Sequence, residues 1–152
     1  MENMDPVDLK ILKILVKDGL ATNKEIAAQL NLTTTPVHER VKRLRRDGII
    51  DKYTIELNRK HLNRNLLVFC NVSLKEHAFE YLERFEKDIQ TLPEVVECYC
   101  ISGGSDFLLK IIVADIDDYK SFILNKLSIL PNIANTQSQF VVKDVKQSSI
   151  LD

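Results

Sequence analysis

Residues 24 to 48 hold the arrangement that most restricts this chain. A short segment, Lys24 to Leu30, turns Ile26, Ala27 and Leu30 to one side, with Thr22 or Asn23 before it as a cap. Asn31 and Leu32 leave room only for a tight corner. A longer segment then runs from Thr33, a second cap candidate, to Asp47; Pro36 lies in its first turn and Gly48 closes it. Within it Val37, Val41 and Leu44 form one stripe at spacings of four and three, the side that packs inward. Two helices joined by three or four residues, the second one basic, predict a helix-turn-helix. Ahead of them Val7, Ile11, Leu12, Ile14 and Leu15 predict another amphipathic helix, capped by Asp5-Pro6 and stopped at Gly19.

The second helix of the pair is where chemistry concentrates. Arg40, Lys42, Arg43, Arg45 and Arg46 fall within seven residues. Opposite the apolar stripe, its N-terminal end carries the small or polar side chains Thr34, Thr35, His38 and Glu39, which suit close approach to base edges. Glu39 can accept from a cytosine amino group, and Thr35 can touch a thymine methyl. Lys42, Arg43 and Arg46, further along, suit phosphates, which position a protein without specifying a base.

The total charge of −1 at first argues against nucleic acid, but it is unevenly spread. Residues 1–60 carry 12 Lys and Arg against 9 Asp and Glu, a net of +3, and the remainder carries 9 against 13, a net of −4. That asymmetry suits a DNA-facing part joined to an acidic part that DNA repels.

Ile50 to Leu57 alternates as a strand or extended arm, and the polar run Asn58 to Asn65 reads as a linker. We therefore expect a DNA-binding domain over residues 1–50, a hinge and linker over 51–65, and a second domain over 66–152. In the latter, Leu66, Val68, Cys70, Val72 and Leu74 alternate as a strand. Phe79, Leu82, Phe85 and Ile89 recur as a helix that stops near Pro93. Val96, Cys98 and Cys100 predict a second strand, and Ser102-Gly103-Gly104-Ser105 turns the chain into a third, from Phe107 to Ala114. A helix capped by Asp115 carries Tyr119, Phe122, Ile123, Leu127 and Leu130 to Pro131, and Thr136 to Val145 supplies the last strand. The order β-α-β-β-α-β is the ferredoxin-like unit, so the chain as a whole is α+β. Its helices cover one sheet face, while Leu67 and Phe69 make the other face apolar too. Sheet-to-sheet pairing with a second copy is the simplest cover. A dimer also suits paired recognition helices about 34–36 Å apart.

The run IAAQLNLTTTPVHERVKRLRRDGIIDKY resembles the DNA-binding signature of the Lrp/AsnC (feast/famine) transcription regulators, as does the opening Met4-Asp5 through Asp8, Ile11 and Leu12. LPEVVECYCISGGSDFLLKIIV is similar to the core of that family's effector domain, and LPNIANTQSQFVVKDVKQSSILD to its last strand and tail. The resemblance implies a regulator whose dimers assemble further, often to octamers, in response to an amino acid held against a Gly-x-x-Asp turn. Carried over, the turn places Ser102, Gly103, Gly104, Ser105 and Asp106 at the effector site, with Thr136 and Ser138 as weaker additions. Glycines let a ligand approach backbone N–H groups that receive a carboxylate, and Asp106 can meet an α-ammonium. Without the resemblance, the same residues read as a plain hairpin turn.

Other classes find little support. The chain has no phosphate-binding Gly-rich loop, no His-Glu-x-x-His and no Gly-x-Ser-x-Gly, and His38, His61 and His77 lie in unlike contexts. Catalysis and a resident cofactor or metal are therefore not expected. Cys98-x-Cys100 reads as a pair of buried thiols beside Val96. Three cysteines, an odd count, suit a reducing, cytoplasmic setting, and neither a signal peptide nor a membrane span is expected. The alternative function is an amino-acid-sensing module that controls a protein partner rather than DNA.

Overall fold

The computed structural model describes residues 4–146 and residue 151. Its first unit is built on α1 (Pro6–Lys17), α2 (Asn23–Leu30) and α3 (Thr34–Arg46). The helix starts are those the sequence predicts. Asp5 Oδ1 accepts the N–H groups of Val7 and Asp8 at 2.8 and 2.9 Å, and Asp8 returns a carboxylate oxygen to the Asp5 N–H. Thr22 and Glu25 make the same reciprocal cap on α2. Asn31 closes α2 in the left-handed region at φ 54°, which lets α3 begin three residues later. Thr33 occupies the start of α3 but its side chain makes no capping hydrogen bond. Ile11, Leu12, Ile26, Ala27, Val37 and Leu44 form the core, with Leu151 packed at its margin.

The second unit holds β1 (Leu66–Leu74), α4 (Phe79–Gln90), β2 (Val95–Cys100), β3 (Phe107–Val113), α5 (Ile116–Phe122) and β4 (Ile133–Phe140). The strands form one antiparallel sheet in the order β2-β3-β1-β4, so β2 and β4 are its edges. Val68, Cys70, Val72, Leu109, Ile111 and Val113 turn to the helices and meet Phe85, Ile89, Tyr119, Phe122 and Leu127. A π-helical turn, Ile123–Leu127, continues α5. That wider turn accommodates the five-residue step from Phe122 to Leu127, so both are buried.

Residues 51–57 form no strand, which leaves the extended arm of the two readings, and none of the described residues before Leu66 lies in a strand. Two expectations need correction. The last strand runs Ile133–Phe140 rather than Thr136 to Val145. Its limits come from pairing with β1 (Leu74 opposite Ile133, Val68 opposite Phe140), and Val142 and Val145 lie exposed beyond it. Cys98 and Cys100 are exposed; only Cys70 is buried. They do share a sheet face, but on an edge strand, where α4 leaves an open groove lined by Glu86, Ile89, Cys98 and Cys100. The second compact unit spans Asn58–Val145, and Leu151 packs at the margin of the first unit's core.

Candidate functional site

The helical repeat of α3 sorts its side chains into a buried stripe, a ridge and two flanks. Val37 and Leu44 are fully buried against α1 and α2, which forces the opposite side outward. Thr34, Thr35, His38, Glu39, Lys42 and Arg46 are all exposed there. Lys42 and Arg46 form the ridge, since both line the two grooves that run along it. One groove, of about 490 Å³, is lined by His38, Arg45, Asn23 and Asp51 as well. The other, of about 470 Å³, adds Pro36, Glu39, Arg40 and Arg43.

On the first flank, the amide nitrogen of Asn23 lies 3.1 Å from His38 Nδ1. An amide nitrogen only donates, so in this geometry a neutral His38 ring accepts through Nδ1 and carries its proton on Nε2. Beside it, the Arg45 guanidinium stands 5.9 Å from the centre of the Tyr53 ring, a cation–π contact.

The second flank differs in kind. Arg40 Nη1 donates to Asp5 Oδ2 at 2.5 Å and to Asp8 Oδ1 at 2.8 Å, while Arg43 Nη2 donates to Asp8 Oδ2 at 2.5 Å. Asp8 is fully buried. The Asp8 N–H and the Arg40 guanidinium hold the Asp5 carboxyl below the usual carboxylate range. At Asp8 burial pushes upward, but the Asp5 N–H together with Arg40 and Arg43 outweighs it, and its pKa is lowered as well. Arg40 is raised in turn, chiefly by its bond to Asp8. Sequence reasoning anticipated Asp5 as a cap. It missed the ion-pair network, because nothing local in the sequence brings residues 5 and 8 to residues 40 and 43. It also passed over Arg45, whose only signal was its place in the basic run.

In the second unit, Ser102, Gly103 and Gly104 are exposed at the turn between β2 and β3, with Gly103 at φ 131°. Ser105 and Asp106 are half-buried. Asp106 is tied to the end of β1: its Oδ2 accepts the Leu74 N–H at 2.7 Å, and His77 Nε2 lies 3.1 Å from Oδ1. Its own N–H donates to Val72 O at 3.0 Å. Thr136 pairs with that same Val72 from the other side, one strand away from the turn. Ser138 lies opposite Cys70 on the helix-covered face, and its hydroxyl is bonded to Tyr119. The structure thus groups Ser102 to Asp106 with Leu74 and His77, and commits Ser138 to an internal contact.

Comparisons with known proteins align with both parts. A winged helix-turn-helix DNA-binding model matches residues 4–51, and an Lrp/AsnC ligand-binding-domain model matches residues 67–151. The leucine-responsive regulatory protein of Klebsiella pneumoniae is 39% identical over 150 residues, covering 99% of this chain and 92% of that protein. Among solved structures, a transcriptional regulator of Neisseria meningitidis in complex with L-Met superposes with a TM-score of 0.92 at 31% identity, over 97% of this chain and 95% of that one. An AsnC-family transcriptional regulator from Agrobacterium tumefaciens reaches 0.90 at 32% identity, over 96% and 95%.

Proposed function

The chain belongs to the Lrp/AsnC family of DNA-binding transcription regulators, and from that premise we propose how its two parts divide the work. A dimer lays the exposed side of α3 into successive major grooves. Thr34, Thr35, His38 and Glu39 face base edges, and Lys42 and Arg46 further along meet phosphates. The observation that carries this reading is the composition of that side: small and polar at its N-terminal end, basic at its C-terminal end, and free of packing.

The sheet unit is the sensor and assembly domain. Its effector is an amino acid, a class supported by the leucine-responsive relative and by the regulator solved with L-Met. The ligand carboxylate is received by backbone N–H groups of the Ser102 to Ser105 turn, and its ammonium by Asp106. Thr136 and Ser138, both on β4, are weaker additions to this site. The sheet face away from the helices, where Phe69 and Leu108 are half-buried, pairs the protomers, and dimers assemble further, to an octamer in the fullest form. Effector binding selects among these assemblies to the extent that it binds them unequally. The reading involves no catalytic step, cofactor or metal, and it places the protein in the cytoplasm, where its DNA is. No described helix is long and apolar enough to cross a membrane.

A salt titration on duplex DNA, with and without L-leucine or L-methionine, tests both halves. Affinity should fall steeply with salt, prefer a selected operator to scrambled sequence, and change when the effector is added. Undetectable binding at low salt would remove the DNA reading. Unchanged binding and unchanged thermal stability with every amino acid would remove the sensor reading alone.

A further inference from the structure

The five cations of α3 are not equivalent. Arg40 and Arg43, on one flank, share the carboxylates of Asp5, the N-cap of α1, and Asp8 in its first turn, and the four charges cancel within one hydrogen-bonded cluster. Their side chains are 28% and 31% exposed, against 74% for Arg46. Among the described residues neither Lys42 nor Arg45 has a carboxylate partner, and Arg46 pairs only with its exposed neighbour Asp47, an attraction of little strength in water.

Resting on the DNA-binding reading above, we propose that Arg40 and Arg43, the latter expected from sequence at a phosphate, are instead positioning residues that clamp the recognition helix to Asp8 at the start of α1, and that Lys42, Arg45 and Arg46 neutralise the DNA phosphates. The physical reason lies in Asp8. A fully buried carboxylate needs compensating charge, and removing one partner of such a pair leaves the other unsatisfied. Releasing Arg43 to a phosphate would strip Asp8 of one of its two guanidiniums. Arg45 pays no such penalty: its contact is an aromatic face, which leaves the charge available. The clamp has a clear mechanical sense. Arg40 and Arg43 are three residues apart on one side of α3, and the two carboxylates are three apart across the N-cap and first turn of α1. Two guanidiniums held by two carboxylates fix both the rotation of α3 and its position along α1. The base-facing residues Thr35 and Glu39 are carried on the same rigid element.

The salt dependence of DNA binding separates positioning from phosphate contact. Each phosphate contact contributes a slope of about 0.9 in log affinity against log salt, whereas a positioning residue contributes none. Full-length Lys42→Ala and Arg45→Ala should each lower the slope by about 0.9 on a fixed duplex enriched from random sequence. Arg43→Ala, in which Asp8 keeps Arg40, should lose affinity by the same factor at every salt concentration, leaving the slope unchanged. A loss of slope in Arg43→Ala equal to that of Lys42→Ala would overturn the proposal. Should Arg43→Ala fail to fold, arginine modification by phenylglyoxal decides on the wild-type chain. DNA should protect Arg45 and Arg46, while Arg40 and Arg43 react slowly with or without it. Fast reaction of free Arg43 that DNA then blocks would equally overturn the assignment.

Discussion

The hydroxyls of Tyr119 and Ser138 meet at 2.5 Å where α5 crosses the edge strand β4. This contact joins a helix to a strand that otherwise pairs only with β1, and it holds Ser138 inside the domain. Phe140 adds an edge-on contact to the same tyrosine ring, with centroids 5.2 Å apart. Tyr119→Phe removes one hydrogen bond and leaves the ring in place. A loss of about 0.5–1.5 kcal/mol in denaturant unfolding is expected. Burial pushes the Tyr119 hydroxyl up to about 12, so its neutral form is favoured in the folded state. The associated stability is present below the unfolded value of about 10 and is lost as pH rises through the folded value. An alkaline melt should show this loss in wild type and not in Tyr119→Phe.

Asp106 has two tasks, one structural and one for the ligand. It accepts the Leu74 N–H at 2.7 Å and so ties the turn to the end of β1. Asp106→Ala should destabilise the sheet unit by about 1–3 kcal/mol, the scale of a lost hydrogen bond to a charged group. It should also abolish the calorimetric binding of whichever of L-leucine and L-methionine the wild type binds. Undiminished binding by that variant would remove Asp106 from the effector site.

Acid should weaken the DNA-binding unit. Asp5 and Asp8 both have lowered pKa values in the folded chain, so their contribution is complete above the unfolded carboxylate value of about 4 and disappears as pH falls through their folded values. Amide-exchange protection in α1 and α3 should drop over that range in wild type, and less over it in Asp8→Asn. Asp8→Asn should lose several kcal/mol at neutral pH, about 3–5 on the scale of broken buried pairs. Its remaining acid sensitivity should shrink accordingly.

Cys70 and Cys98 should be distinguishable by alkylation. Cys70 is buried between the sheet and α5, so it should stay unlabelled in the native protein. Cys98 lies on the open edge strand, but desolvation, with Glu86 beside it, pushes its pKa up to about 11. Labelling of Cys98 should be slow at neutral pH and accelerate as the pH approaches that value, because the thiolate is the reacting form. Rapid neutral labelling of Cys98 would contradict that environment.

Helix starts and strand faces were legible because they depend on neighbours in the chain. Asp5 and Thr22 cap α1 and α2 through bonds spanning two or three residues, and the alternation of Val68, Cys70 and Val72 marks a buried face wherever the strand sits. Limits set by partners were not legible. Val142 and Val145 continue an apolar alternation, yet β4 ends at Phe140: the Val141 N–H still donates to Leu67 O at 3.0 Å, and both valines beyond it lie exposed. Cys98 and Cys100 have the spacing of buried residues, and lie exposed because β2 is an edge. Arg43 and Arg45 are indistinguishable as members of a basic run. Their difference arises from what each meets, Asp8 in one case and the Tyr53 ring in the other. By itself, then, the sequence determined the order of elements, the helix-turn-helix and the side of α3 that faces out, since periodicity and capping are local. Only the tertiary structure decided which cations on that side remain uncompensated, because charge pairing acts across space between residues far apart in the chain.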